Sequence, residues 1–268
     1  MPSDVSAVVT TLGERTLEKS LASLEAQTLP VSEIVVVRDV TPFTAAINEG
    51  IRQVETPFFV QCDADMILDP DCVETLRGCM TEDTGVSIGY LDDDLLGTVQ
   101  AVKLFRTSLL EKSAFQDSVA SDSDRILRMK EEGDRIAFAS RPARRHGHAA
   151  DVLGRHCPAY DDELYVYGKF NLMAAIVRNR VSWPEFEGVL DALKRSTHPM
   201  ANIALVAFCH GLFSEQERCG HRPFEKSPDY RFFERFLEQD GGWNRLFAIT
   251  KLDGFDAKAE LAQLYEES

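Results

Sequence analysis

The sequence predicts an α/β fold, a mostly parallel sheet flanked by helices and followed by a helical C-terminal extension. Three observations predict it. The first sixty-five residues alternate short β-branched runs with amphipathic stretches, at the spacing of strand, helix, strand, helix, strand. The β-branched runs are apolar almost throughout, as in strands covered on both faces. From about Asp151 onward the apolar residues recur at helical spacing.

Taken in order, residues 5–11 (VSAVVTT) form the first strand, because β-branched side chains suit a pleated, buried surface. Residues 12–15 turn the chain, and Thr16 caps a helix carrying Leu17, Leu21 and Leu24, stopped by Leu29-Pro30. Residues 33–38 (EIVVVR) are the second strand, ended by Asp39. A second helix spans residues 43–54, with Thr41 or Thr44 near its start, and residues 58–62 (FFVQC) are the third strand. Such a series implies parallel strands joined by right-handed crossovers, with the ligand beyond the carboxyl ends of the strands. Thr10, Thr11, Asp39, Asp63 and Asp65 all lie at those ends.

Asp63-Ala64-Asp65 is the stretch with chemistry in it. Residues two apart in an extended chain point the same way, so both carboxylates face one spot. They repel unless a positive charge sits between them. A divalent cation supplies it, and an all-oxygen pair suits Mg²⁺ or Mn²⁺. The competing reading is a loop with two solvated aspartates.

Beyond Asp83 the pattern is less regular. Residues 86–90 and 99–105 read as two further strands flanking the acidic turn Asp92-Asp93-Asp94, which as a charge run reads as a solvated loop. In residues 117–133, Ser121 or Ser123 caps a helix with Ile126, Leu127 and Met129, ending at Gly133. Residues 136–139 (IAFA) are a last strand, leading into the basic stretch 140–148 (SRPARRHGH). Residues 161–178, 183–193, 201–213, 230–237 and 257–265 read as helices whose Met and aromatic positions are core. The division is therefore 1–150 for the α/β domain and 151–268 for the helical region.

Composition narrows the function. A net charge of −15 over 268 residues argues against nonspecific binding to nucleic acid or anionic lipid surfaces. The longest apolar stretch, residues 201–209, is too short to span a bilayer. Met1-Pro2-Ser3-Asp4 opens into a strand-like run rather than a secretory leader. The 6 cysteines include no C-x-x-C pair and no regular spacing, and read as reduced thiols of a cytosolic protein.

The first eighty or so residues resemble the nucleotide-sugar-binding half of family-two inverting glycosyltransferases, with the Rossmann-like GT-A fold. The matching pieces are VSAVVTTL, EIVVVRD, AAINEGIRQV and FFVQCDADMILDPDCVETL, in which Asp63, Asp65, Pro70 and Asp71 match the recurrent Asp-x-Asp and Pro-Asp steps. The resemblance implies a UDP- or GDP-linked sugar donor, bound through Mn²⁺ or Mg²⁺ on Asp63 and Asp65. It implies transfer with inversion to a carbohydrate or glycolipid acceptor. Asp39 falls where the family contacts the nucleobase, with a turn cap as the alternative, and Thr11 is a second nucleotide-side candidate. Asn48 falls in the family's sugar-contacting Arg-Asn pair, whose Arg is Ile47 here.

The same resemblance implies a general base at the head of the 121–133 helix. Matching Arg128-Met129 to the family's Arg-Leu puts that acid on Asp122, with Ser121 in place of its acidic partner. Asp124 is the competitor, and helix-start stabilisation by negative charge is the alternative role for both. A further metal ligand is implied on His146 or His148, beside arginines such as Arg144 that suit a diphosphate or a phosphorylated acceptor. A mobile surface loop is the competing reading of that stretch. The family's commonest setting is polysaccharide or glycolipid assembly, so the expected location is cytoplasmic or peripheral at the inner membrane face; oligomeric state is open.

Two other functions compete. One is a catalytically silent nucleotide-sugar-binding module on the same fold, consistent with Ser121 and Ile47. The other is an aspartate-nucleophile phosphotransferase, which needs its Asp-x-Asp on the first strand followed by Thr or Val. Here the motif follows the third strand and precedes Met66-Ile67.

Overall fold

The computed structural model describes residues 3–117, 121–141, 151–180 and 183–213. The chain divides into two compact units, the first running from Met1 to Pro158 and the second beginning at Ala159.

The first unit is an eight-stranded mixed sheet. Its elements are β1 (Val5–Thr11), α1 (Leu17–Glu25), β2 (Ile34–Arg38), α2 (Phe43–Ile51), β3 (Phe58–Asp63), β4 (Met66–Leu68), α3 (Cys72–Gly78), β5 (Thr84–Asp93), β6 (Gly97–Arg106), α4 (Thr107–Lys112), α5 (Ser121–Glu131), β7 (Arg135–Phe138) and β8 (Val152–His156). The strand order is β2-β1-β3-β6-β5-β8-β4, with β7 also pairing β5. Four of the seven pairings are parallel; β6 runs antiparallel between β3 and β5, and β4 antiparallel to β8. The two strands expected around residues 86–90 and 99–105 are thus the hairpin that turns the sheet antiparallel in its middle.

Both faces of β1 and β3 are buried, which is why their sequences are apolar without alternation. Val5, Ala7 and Val9 of β1 and Val60 and Cys62 of β3 share one core with Leu17 and Leu24 of α1 and Val73 and Leu76 of α3. Val8, Phe59 and Phe105 face the other way, into Ile47 and Ile51 of α2 and Met129 of α5. Gly50 lets α2 lie this close, because a Cβ there would collide with the Val8 side chain.

The structure corrects the reading after residue 139. IAFA is not the last strand: residues 152–156, read as the beginning of a helical region, form β8 and pair with both β4 and β5. Gly154 makes this possible, with a φ of 154° and no room for a Cβ against the Ile67 carbonyl. Arg141 ties β8 to the turn after β4. Its buried guanidinium pairs with Asp69 at 2.5 Å and Asp71 at 3.3 Å, and donates to the Val152 carbonyl. Arg141 and the Pro-Asp step at Asp71 are therefore structural here, and Arg141 is not available to a diphosphate.

The second unit contains α6 (Glu163–Arg180), α7 (Trp183–Arg195) and α8 (Ala201–Phe213), at the positions helical spacing predicts. Tyr167, Phe170 and Ala174 of α6 and Ala204 and Phe208 of α8 are buried, as core stripes should be. The helices expected at 230–237 and 257–265 lie outside the described residues. Among the described residues, no helix is long and apolar enough to cross a membrane.

Candidate active site

The carboxyl ends of β1, β3 and β8 meet around the Asp63-Ala64-Asp65 turn, which the backbone holds from three directions. Thr16 Oγ1 donates to the Ala64 carbonyl at 2.8 Å, Ala64 N–H donates to the Thr10 carbonyl at 3.2 Å, and Cys157 N–H donates to the Asp65 carbonyl at 2.6 Å. The turn is thus fastened to the α1 cap, to β1 and to the end of β8.

Asp63 accepts a hydrogen bond from Thr10 Oγ1 at 2.9 Å. Burial, and after it the charge of Asp65, push its carboxyl up to about 6 from the usual 3.8, against the stabilising Thr10 bond. Asp65 lies 3.3 Å from His156, Oδ2 to Nε2, and both side chains are largely buried. His156 Nδ1 in turn sits 2.7 Å from Oδ2 of the fully buried Asp93. With the Nδ1 proton donated to Asp93, the Nε2 lone pair faces the aspartate turn, an arrangement typical of metal-binding histidines. Asp93 is held by the Leu95 and Leu96 N–H groups at 2.9 and 2.8 Å.

Sequence reasoning missed His156 and Asp93. His156 fell in a stretch read as helical, and the acidic run around Asp93 was read as solvated. The available signal was the short β-prone run VLGRH ending in histidine. His146, His148 and Arg144 lie outside the described residues.

The other expected residues are placed as follows. Thr11 is buried, its hydroxyl donating to Glu14 Oε2 at 2.6 Å and accepting from Gly13 N–H, so it closes a turn. Thr10, its neighbour, is the threonine that reaches the Asp63 carboxylate. Asp39 is exposed at the end of β2 in a left-handed conformation, φ 57°, its N–H donating to the Thr11 carbonyl. Asn48 clamps the Phe115 peptide, donating to its carbonyl at 2.9 Å and accepting from its N–H at 3.0 Å. That use of the amide fixes the chain at Phe115 and occupies the side chain expected at the sugar. Cys62, beneath the turn, is a core thiol, pushed up to about 12 chiefly by burial; the five described cysteines are free.

Asp122 and Asp124 both lie in the first turn of α5. Asp122 is the one joined to the sheet: its Oδ2 is 2.9 Å from Nζ of the buried Lys103 on β6, and its Oδ1 accepts from Ser123 N–H at 2.7 Å. Lys103 and Asp122 both act electrostatically on Asp63, in opposite senses. A row of polar groups therefore runs across the carboxyl ends of the central strands, from His156 and Asp65 through Asp63 to Lys103 and Asp122.

This architecture is a GT-A type fold. Over its whole length the chain superposes on 90% of a mannosyltransferase, PcManGT from Pyrobaculum calidifontis, solved with GDP-Man and Mn²⁺, at 13% identity and a TM-score of 0.52. S. aureus TarS, residues 1–349, matches 98% of this chain and 91% of its own at 13% identity, with a TM-score of 0.47. Glucosyl-3-phosphoglycerate synthase from Mycobacterium tuberculosis, solved with Mn²⁺, UDP and phosphoglyceric acid, matches 50% of this chain and 67% of its own at 14% identity, with a TM-score of 0.40. No family model matches the sequence, and no curated protein matches it.

Proposed function

We propose that the protein is a metal-dependent, inverting glycosyltransferase with a nucleotide-diphosphate-sugar donor. The observation that carries this reading is the set Asp63, Asp65 and His156 at the carboxyl ends of β3 and β8, with His156 oriented by Asp93. The 3.3 Å between Asp65 Oδ2 and His156 Nε2 is close to the ~3.0 Å separating adjacent ligands of an octahedral ion with bonds of about 2.1 Å. Two carboxylates and an imidazole suit Mn²⁺, with Mg²⁺ the alternative. Among the described residues no three such side chains already form a closed cage. Asp63, turned toward Thr10, would rotate to join the other two. The similar mannosyltransferase fold, solved with Mn²⁺ and GDP-Man, agrees with this assignment.

When bound, the ion would neutralise charge on the departing diphosphate. The chain's own residues do the rest. Asp63, Asp65 and His156 fix the diphosphate end of the donor. Asp122, across the row, takes the proton of the acceptor hydroxyl as its oxygen bonds to the anomeric carbon and the bond to the diphosphate breaks. Asp39 and Thr11, at the ends of β2 and β1, lie on the nucleotide side. The acceptor reading is a carbohydrate or glycolipid hydroxyl.

The test is release of nucleoside diphosphate from GDP-mannose and UDP-glucose, with and without Mn²⁺. Metal-dependent release supports a transferase; nucleotide binding with no release from either identifies a silent binding module instead. His156→Ala and Asp93→Asn should each weaken Mn²⁺-dependent GDP or UDP binding by about 10–100-fold, because Asp93 orients the ligand that His156 supplies. Isothermal calorimetry reads both, and unchanged affinity in His156→Ala would remove the imidazole from the shell.

Asp63 gives a pH signature. Its folded value of about 6 lies above the usual 3.8, so the native state holds an extra proton between the two. Stability of the metal-free protein should therefore fall as pH rises through that window. Asp63→Asn should be more stable than wild type at pH 7 by ~1–3 kcal/mol, the gap closing near pH 4. Urea melts at the two pH values check this. Mn²⁺ must displace that proton, so its affinity should fall about tenfold per unit below pH 6.

A further inference from the structure

Lys103 is a charged residue in an apolar setting. It sits on β6, directly opposite Gln61 of β3 and Ile88 of β5, on the face whose core is Val8, Phe59, Phe105 and Met129. Its side chain is 6% exposed. Packing at this position calls for Met or Ile, and burying an ammonium is costly unless it is paired. Lys103 Nζ donates to the Ala101 carbonyl at 2.9 Å and pairs with Asp122 Oδ2 at 2.9 Å. Gln61, facing it across the strand pair, has a buried Oε1 with no hydrogen-bond partner among the described residues. A polar floor thus interrupts the core beneath the first turn of α5.

The consequence falls on Asp122. One oxygen is drawn to the sheet by Lys103 and the other is met by the Ser123 N–H, while the carboxylate keeps 32% exposure toward solvent. A side chain in the first turn of a helix has several rotamers; this one is held in a single one by a donor at each oxygen. Alignment of a base with the proton it removes is worth far more than its presence nearby.

We propose that Lys103 is a positioning residue for the reaction, a buried side chain whose role is to hold the Asp122 carboxylate aimed at the acceptor hydroxyl. This rests on Asp122 being the base. Lys103 acts through Asp122 and not on the donor, so its loss slows turnover and leaves nucleotide binding alone.

The experiment is a double-mutant cycle on Lys103→Met and Asp122→Asn. Turnover is read as nucleoside diphosphate release from GDP-mannose and UDP-glucose with Mn²⁺, and binding as the calorimetric Kd of GDP and UDP with Mn²⁺. Met matches the stem of Lys and removes the charge. Lys103→Met should lower kcat about 10–100-fold with Kd within about threefold of wild type. The double variant should be no slower than Asp122→Asn alone, and Lys103→Arg should recover part of the rate. If Lys103→Met does not fold, Lys103→Gln and Lys103→Arg carry the comparison, Gln slow and Arg faster. Wild-type kcat in the neutral variants beside a dead Asp122→Asn overturns the positioning role and leaves the base standing. Additive losses, or a Kd that rises with the loss of rate, also overturn it. Full activity in Asp122→Asn overturns the base, and with it this inference. No release by wild type from either sugar nucleotide overturns the transferase reading on which both rest.

Discussion

Asp65→Ala should abolish Mn²⁺-dependent nucleotide binding, with a loss on the order of 100-fold or more in affinity for GDP or UDP, while the fold persists. Asp65 is placed by backbone: its carbonyl receives the Cys157 N–H, and the preceding Ala64 is tied to Thr10 and Thr16. None of these bonds uses the Asp65 carboxylate, so alanine keeps the turn. The substitution also removes a negative neighbour that raises Asp63, so the apo protein is relieved of like-charge repulsion. What is lost is one of two carboxylates for the cation and the group set 3.3 Å from His156. Calorimetry with Mn²⁺ and GDP or UDP, beside circular dichroism, separates loss of binding from loss of fold. Wild-type affinity in this variant would refute a metal site at the turn.

Asp122→Asn should lower transfer by about two or more orders of magnitude with donor affinity near wild type. In the proposed reaction the acceptor hydroxyl loses its proton as it attacks, with Asp63 and Asp65 assigned to the diphosphate side. Asp122 stands on the other side of the polar row, on a different element, with both oxygens held. Asparagine keeps the shape and removes the basicity. Asp124→Asn is the internal control, since Asp124 shares the first turn of α5 with Asp122. Loss of transfer in Asp124→Asn with full activity in Asp122→Asn would move the base two residues along the helix. Full activity in both would rule out a carboxylate base in this turn.

The alternating first half of the chain was legible because its signal is local. A strand buried on both faces reads as a Val/Ile run wherever it is written, and the helices between carry their own spacing. β1, α1, β2, α2 and β3 accordingly stand at or within a few residues of their expected places. Asp63 and Asp65 were legible for the same reason: two acids after a strand are neighbours before any tertiary structure forms. Arg141 shows the opposite case. In sequence it is one cation of a basic stretch; folded, it is a buried structural tie between β4, α3 and β8.

The sequence by itself determined the class of sheet and the acidic pair just beyond its third strand, since each depends on residues within a few positions of one another. The third member of the proposed set, His156, and its support Asp93 were decided only by tertiary structure. Residue 156 reaches residue 65 through the pairing of β8 with β4 and β5, across some ninety residues of chain, and no local period encodes such a pairing. The same holds for Lys103 and Asp122, a strand residue and a first-turn helix residue that carry no signal apart. Their meaning comes from the packing of α5 on β6, which turns a solvated charge into a buried one and so makes its partner obligatory.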